Sequence, residues 1–211
     1  MIAVADGVYA EPGLSTDDMA ELKTAFQSAV GNVTNAFGQL HLGPPLTLFC
    51  RSGGCKLALG AAPEAAAAND LGFTVDGVST TTGHLVRTTI VVTGPNSKTA
   101  RIATHEMVHA EMKSWLAYDA LPTWFNEGVA TFIASEPNCT SFPPAMLFDV
   151  TALDTKAKWQ QHIRGGKTLA TYCEARNHVA AWAAQYPDPV TFSAAVRRIM
   201  ATVADGGGFA M

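Results

Sequence analysis

The chain has 211 residues, of which 48% are hydrophobic and 15% are charged, enough apolar material for one domain with a sizeable core. Its 14 basic and 18 acidic side chains give a net charge of -4 and no cationic stripe of the kind that nucleic-acid binding requires. No apolar run approaches the roughly 20 residues that cross a bilayer. We therefore expect neither a nucleic-acid partner nor a membrane span, and the sequence leaves the oligomeric state open.

The first half of the chain predicts a helix and a small sheet. After an extended segment over 1–13, apolar residues recur every three or four positions from Met19 to Phe37, which predicts an amphipathic helix over 15–38. The further predictions for this half are strands over 46–50, 71–75 and 84–92, with an Ala-rich helix over 61–70.

From residue 97 onward the pattern changes to one helix after another. The predicted helices cover 98–118, 123–135, 155–163, 169–185 and 190–203, with a helical turn over 143–148. A sheet portion over 1–96 and a helical portion over 97–204 indicate a single α+β domain with a cleft between the portions. The Gly-rich residues 205–211 are typical of a flexible tail.

Four cysteines allow three disulfide connectivities. Cys50 and Cys55 bracket a short Arg-Ser-Gly-Gly turn, so we favour their pairing, which leaves Cys139 and Cys173 as the second pair. Bonded cysteines would favour a periplasmic or secreted location, and the alternative is four reduced thiols in a cytoplasmic protein. The N-terminus lacks the basic and apolar regions of a signal peptide, which also fits a start from which a leader was removed.

The segment His105-Glu106-Met-Val-His109 lies in the predicted helix over 98–118. Residues four apart lie on one face of a helix, so both imidazoles can reach one metal ion. Glu106 projects to the side, where its carboxylate can reach a water at that ion. This pattern predicts two ligands and a general base of a zinc site.

Glu127 is the predicted third ligand. Residues 110–126 separate it from His109, which leaves room for the end of one helix, a turn and the start of a second helix. A catalytic zinc site takes three protein ligands and keeps one position open. The sequence therefore predicts one Zn²⁺ per chain.

The two motifs together resemble the zinc site of gluzincin metallopeptidases. His-Glu-x-x-His followed by Trp-Phe-Asn-Glu-Gly-Val-Ala is similar to the aminopeptidase-N-like and peptidase-MA-like branches, and the resemblance covers about 85–185. It implies a zincin-like fold and hydrolysis of peptide bonds. By this resemblance His105, His109 and Glu127 are zinc ligands, and Glu106 is the general base.

The resemblance also implies a donor that stabilises the oxyanion, placed on a helix well downstream of the glutamate ligand. Tyr172, near the start of the predicted helix over 169–185, is our candidate, and His178 is the alternative because thermolysin-like relatives use a histidine. Arg176, one turn after Tyr172 on the same helical face, would contact the substrate or a carboxylate that supports the ligands. Two further residues would orient the ligands through hydrogen bonds: Asn126 and Glu111.

In gluzincins the strand before the zinc helix is an edge strand that binds extended peptide, and we expect this of 84–92. The aminopeptidases carry Gly-x-Met-Glu-Asn there, whereas residues 92–96 are Val-Thr-Gly-Pro-Asn, without a glutamate. The sequence therefore favours endopeptidase action on peptides or unfolded protein segments. The alternative is a catalytically latent or inactive zinc-binding scaffold that binds a peptide or a partner protein.

Overall fold

The computed structural model describes residues 1–63, 72–78, 85–115, 117–139 and 148–211. The strands are β1 (Ile2–Ala5), β2 (Val8–Ala10), β3 (Leu46–Cys50), β4 (Gly72–Val78) and β5 (Leu85–Thr93). The α-helices of these ranges are α1 (Thr16–Phe37), α2 (Gly53–Ala58), α3 (Thr99–Lys113), α4 (Thr123–Ile133), α5 (Lys156–His162), α6 (Thr168–Ala183) and α7 (Pro189–Ala204). The predicted α+β class is confirmed, with a small sheet first and a helical C-terminal half.

Element boundaries differ from the predictions where local caps intervene. The helix predicted over 98–118 ends at Lys113, because the Ser114 hydroxyl donates to the Glu111 carbonyl and Ala117 takes a left-handed backbone conformation. The six-residue α2 was not predicted, and it begins where the Ser52 hydroxyl accepts a hydrogen bond from the Cys55 N–H. Much of the predicted helix over 61–70 and of the turn over 143–148 lies outside the described residues.

The sheet has the order β1-β2-β3-β5-β4, in which β2, β3 and β5 are parallel and the two outer strands are antiparallel to their neighbours. Strand β5 is therefore interior, and the prediction that 84–92 forms the edge is wrong. Residues Ile90, Val91 and Val92 are at most 1% exposed, as expected for a strand with both faces covered. Among the described strands, the edge next to β5 is β4, where Val75 is 41% exposed.

The described chain divides into two compact units. The first contains Met1–Asn35 and Gln39–Ser114, and within it α3 packs against β4 and β5. The second contains Ala36–Gly38 and Trp115–Met211, and within it α4 packs against α6. The core of the second unit is rich in rings that meet edge to face: Phe125, Trp182 and Phe192.

All four cysteines are bonded, in the pairing that the sequence favoured. Cys50–Cys55 closes a short loop of the first unit, and Cys139–Cys173 joins the turn after α4 to α6 in the second. None of the described helices combines the length and the apolar composition that crossing a bilayer demands.

Candidate metal centre

The two histidines of α3 point their ring nitrogens at one another. The Nε2 atoms of His105 and His109 are 3.0 Å apart, and the two rings are nearly perpendicular, at 80°. This closeness follows from their spacing of four residues, which places both side chains on one helical face. His109 is buried at 7% exposed, so its ring is fixed by the surrounding core.

Glu127 of α4 completes a group that could hold a metal ion. A ring nitrogen of each histidine and a carboxylate oxygen of Glu127 all lie within 4.8 Å of one another. Bonds from zinc to imidazole nitrogen are about 2.0–2.1 Å long, so two nitrogens up to about 4 Å apart can bind one ion. Two imidazoles and one carboxylate are a donor set that zinc takes at catalytic sites. The identity of the ion stays a prediction.

Glu106, the predicted general base, lies against the start of β4. Its side chain is 7% exposed, and it approaches the backbone of Gly72 so closely that a Cβ atom there would force its neighbours to shift. A Cβ atom at position 72 would lie 2.5 Å from Glu106 Cγ and 2.6 Å from Glu106 Oε1. We did not single out Gly72 from the sequence, although a glycine in a strand commonly marks a close backbone approach.

Lys113 lies one turn beyond His109, on the same face of α3. Its Nζ donates to Thr74 Oγ1 at 2.7 Å and to both carboxylate oxygens of Asp76, at 2.9 and 3.1 Å. The lysine is 16% exposed and the aspartate 37%, so water screens this ion pair only in part. The last turn of α3 is thereby tied to β4, a contact that the sequence analysis did not anticipate.

Glu127 is followed by a glycine for a packing reason. A Cβ atom at Gly128 would lie 2.6 Å from the carbonyl oxygen of Ala175 and 2.8 Å from Val179 Cγ2. The absence of a side chain at this position lets α4 approach the backbone of α6. The close contact fixes the turn of α4 that carries Glu127.

The two residues predicted to orient the ligands have other contacts. Asn126 Nδ2 donates to the Tyr118 carbonyl at 3.3 Å, and Asn126 Oδ1 is buried with no hydrogen-bond partner among the described residues. Glu111 is 3% exposed and accepts from the His41 N–H through both oxygens, at 2.9 and 3.1 Å. Neither contact is to a ligand residue, so the orienting role stays a prediction.

Tyr172 lies in the second turn of α6 and is half-buried. Its ring meets Trp159 edge to face, with 5.1 Å between the ring centroids, and the next residue is bonded to Cys139. The disulfide and the ring contact restrict where the Tyr172 hydroxyl can point. Its role as the oxyanion donor stays a prediction.

His178, the alternative donor, is paired with Glu174 in the second unit. His178 Nε2 lies 3.1 Å from Glu174 Oε1, and the histidine ring also meets the edge of Trp124. Burial raises the pKa of the Glu174 carboxyl, while the charge of His178 and its hydrogen bond act in the opposite direction. This pairing engages one of the two ring nitrogens of His178, and its role as the alternative donor stays a prediction.

Two further expectations concern Arg176 and the tail. The Arg176 guanidinium lies 5.8 Å from the centre of the Phe132 ring and donates to the neighbouring Asn177 side chain. Its predicted contact with substrate stays a prediction. In the segment expected to be a flexible tail, the Phe209 ring packs against Trp124 and Phe125.

No protein-family model, curated protein or solved structure matches the chain. The resemblance to gluzincins therefore rests on the two motifs and on the grouping of His105, His109 and Glu127.

Proposed function

We propose that the protein is a zinc-dependent peptidase, acting as an endopeptidase on peptides or unfolded protein segments. The observation that carries the proposal is the group of His105, His109 and Glu127, whose donor atoms lie within 4.8 Å of one another. The sequence places Glu106 directly beside the first of these ligands. A glutamate in this position has the chemistry of a general base, for which metal binding alone has no use.

The three ligands would hold one Zn²⁺, which when bound supplies a Lewis acid that acidifies water and polarises a carbonyl group. Glu106 would take a proton from the attacking water and return it to the leaving amine nitrogen. Tyr172 would donate its hydroxyl hydrogen to the oxyanion that forms from the substrate carbonyl. Glu106 is only 7% exposed, so little bulk water competes with the substrate for its proton, which supports a role in proton transfer.

Strand β4 is the proposed support for the substrate. It is an edge among the described strands, and an extended peptide can add to such an edge through backbone hydrogen bonds. The strand reads Gly-Phe-Thr-Val-Asp-Gly-Val and carries no glutamate that could bind a free N-terminus. Strand β4, like residues 92–96, thus lacks the glutamate with which aminopeptidases bind a free N-terminus. This again favours endopeptidase action.

We further propose an extracytoplasmic location, periplasmic or secreted. Both disulfides support this, because reducing compartments keep thiols free. Mass spectrometry of protein from its native source under non-reducing conditions measures the thiols, and four free thiols would contradict this location.

The test combines zinc content by elemental analysis with cleavage of a quenched fluorescent peptide library. We expect one zinc per chain and chelator-sensitive cleavage in the wild type. Glu127→Ala should lose most of the zinc, whereas Glu106→Gln should keep it and lose cleavage by about 10²-fold or more. The matched control is Glu21→Ala, which removes an exposed carboxylate of α1 and should change neither quantity.

Two outcomes would count against the proposal. Stoichiometric zinc without cleavage of any library member would favour the alternative, a zinc-binding scaffold that binds a peptide or a partner protein. Absence of zinc from the wild type, after purification without chelators, would remove the metal site itself.

A further inference from the structure

Strand β4 meets helix α3 at Glu106 and at Lys113, and both contacts involve alternate residues of the strand. Residues 72, 74 and 76 lie on one face of β4, since side chains alternate along a strand. Gly72 meets Glu106 on that face, and Thr74 and Asp76 meet Lys113. From Glu106 to Lys113 the helix rises about 10 Å. Along the strand, Thr74 lies about 7 Å and Asp76 about 13 Å from Gly72, which brackets this rise, so both contacts fit one alignment of strand and helix.

From this geometry we propose that Gly72 is a positioning residue for the general base Glu106. The lack of a side chain at Gly72 sets where the Glu106 carboxylate lies, and the Lys113 contact sets the alignment of β4 that brings Gly72 there. The inference rests on the proposed function, because the position of Glu106 matters to a reaction only if Glu106 acts in it.

The distances leave no room for a Cβ atom at position 72. Such an atom would lie 2.5 Å from Glu106 Cγ, 2.6 Å from Glu106 Oε1 and 2.7 Å from Ile102 Cγ2. Non-bonded carbon atoms pack at about 3.5–4.0 Å. Either both side chains or the β4 backbone must therefore move by about 1 Å to restore that spacing.

Glu106 is the partner that can move furthest. The backbone of β4 is held by its antiparallel pairing with β5, which runs from Gly72 opposite Val92 to Val78 opposite Leu85. The contacts of Lys113 with Thr74 and Asp76 hold the strand against α3 as well. Ile102 is 9% exposed and β-branched, so its side chain has few alternative rotamers. An added methyl group at position 72 would therefore displace the Glu106 carboxylate furthest, with a smaller shift of the Ile102 side chain, and leave the strand in place.

The test is Gly72→Ala, with Gly31→Ala as the matched control, because a Cβ at Gly31 meets nothing within 4 Å. A displacement of about 1 Å in a catalytic group can cost about 10²-fold in rate, so we expect kcat to fall by that factor. The zinc content should stay at one per chain, since Glu106 is not a ligand, and Gly31→Ala should keep the wild-type kcat. In a Glu106→Gln background, Gly72→Ala should cause no further fall in kcat. A general loss of structure would lower kcat in that background as well.

A readout independent of activity separates this inference from the proposed function. Crystal structures of the wild type and of Gly72→Ala should show the Glu106 carboxylate moved by about 1 Å, with the β4 backbone unchanged. A shifted β4 with Glu106 in place would overturn the inference, as would an unchanged kcat in an active enzyme. If the wild type binds zinc and cleaves nothing, the proposed function fails, and the crystal structures alone decide whether Gly72 positions Glu106.

A second variant covers the case in which Gly72→Ala does not fold. Lys113→Met removes the ion pair with Asp76 and keeps most of the lysine's apolar stem. Because β4 loses its alignment contact, we expect kcat to fall several-fold with zinc retained. A wild-type kcat in Lys113→Met would contradict the part of the inference that assigns the alignment to Lys113.

Discussion

The two units of the protein hold their residues in place by different means. In the first unit, a five-stranded sheet supplies a ladder of backbone hydrogen bonds, and α3 lies on β4 and β5. The second unit has no strand among its described residues, and its helices are held by ring contacts, by the close approach at Gly128 and by a disulfide between residues 34 apart. Pairing register thus aligns the strands of the first unit, whereas side-chain contacts and a cross-link between distant residues align the helices of the second.

The two glycines beside the site residues illustrate the same difference. Gly72 faces the side chain of Glu106, which can move, whereas Gly128 faces the backbone carbonyl of Ala175, which cannot move without shifting α6. A methyl group at Gly72 should therefore change the reaction more than the stability. A methyl group at Gly128 should change the stability first.

The disulfides give the largest expected difference between the units. In the chain-entropy account, the stabilisation by a disulfide grows with the loop it closes, to about 4 kcal/mol for a loop near 35 residues and about 2 kcal/mol for one near six. We expect Cys139→Ala/Cys173→Ala to lower the free energy of unfolding by about twice as much as Cys50→Ala/Cys55→Ala. Urea denaturation of the two double variants measures both values, and equal losses would break the comparison.

A smaller effect is expected at Gly128. Gly128→Ala forces a Cβ against the Ala175 carbonyl oxygen, and overpacking of this kind costs about 1–3 kcal/mol. The control Gly31→Ala has the opposite sign, because a glycine in an open helix interior is about 1 kcal/mol less favourable than alanine. Thermal and urea unfolding should place the two variants on opposite sides of the wild type. If Gly128→Ala were also stabilising, α4 would have room that the structure does not give it.

The smallest effect concerns two glutamates whose pKa values shift in opposite directions. Burial raises the pKa of Glu174 in the second unit, so its stabilising contribution is present below the ordinary value of 4.5 and is lost as the pH rises through the raised pKa. The Ser52 hydroxyl lowers the pKa of Glu11 in the first unit, aided by the backbone N–H groups of Arg51 and Ser52. The contribution of Glu11 is present above 4.5 and is lost as the pH falls through the lowered pKa.

At pH 7 we therefore expect Glu174→Gln to be more stable than the wild type and Glu11→Gln to be less stable. Both differences should shrink as the pH is lowered through the range in which each glutamate becomes protonated. Urea denaturation at several pH values measures them. If both variants shifted the stability in the same direction at pH 7, the pKa shift of either Glu11 or Glu174 would be contradicted.

The features predicted correctly are those that local spacing determines. The histidine pair follows from a four-residue separation on a helix, and α1 follows from an apolar repeat over six turns. The placement of Glu127 near that pair came from the motif and its spacing, and the structure groups the three residues. The prediction that the ion is zinc and the prediction that peptides are cleaved both remain proposals.

The features that were missed depend on pairing between distant parts of the chain. The interior position of β5 follows from its parallel pairing with β3, about 40 residues earlier, which no local pattern specifies. The approach of Gly72 to Glu106 depends on that strand order as well. Strand β4 lies next to β5, and α3 packs against both strands. The short α2 was missed because two glycines open it, and glycine is a weak helix former.

The edge position of β4 has a consequence for solubility. A strand edge that accepts a substrate peptide can also accept the same strand of a second molecule, which is how sheet proteins aggregate. Here the edge is only seven residues long, and the charged groups of Asp76 and Lys113 lie beside it, which disfavours the approach of a long apolar strand. The exposed apolar side chain of Val75, by contrast, favours the approach of such a strand. If β4 binds substrate as proposed, substrate binding and resistance to aggregation place opposite demands on the same short strand.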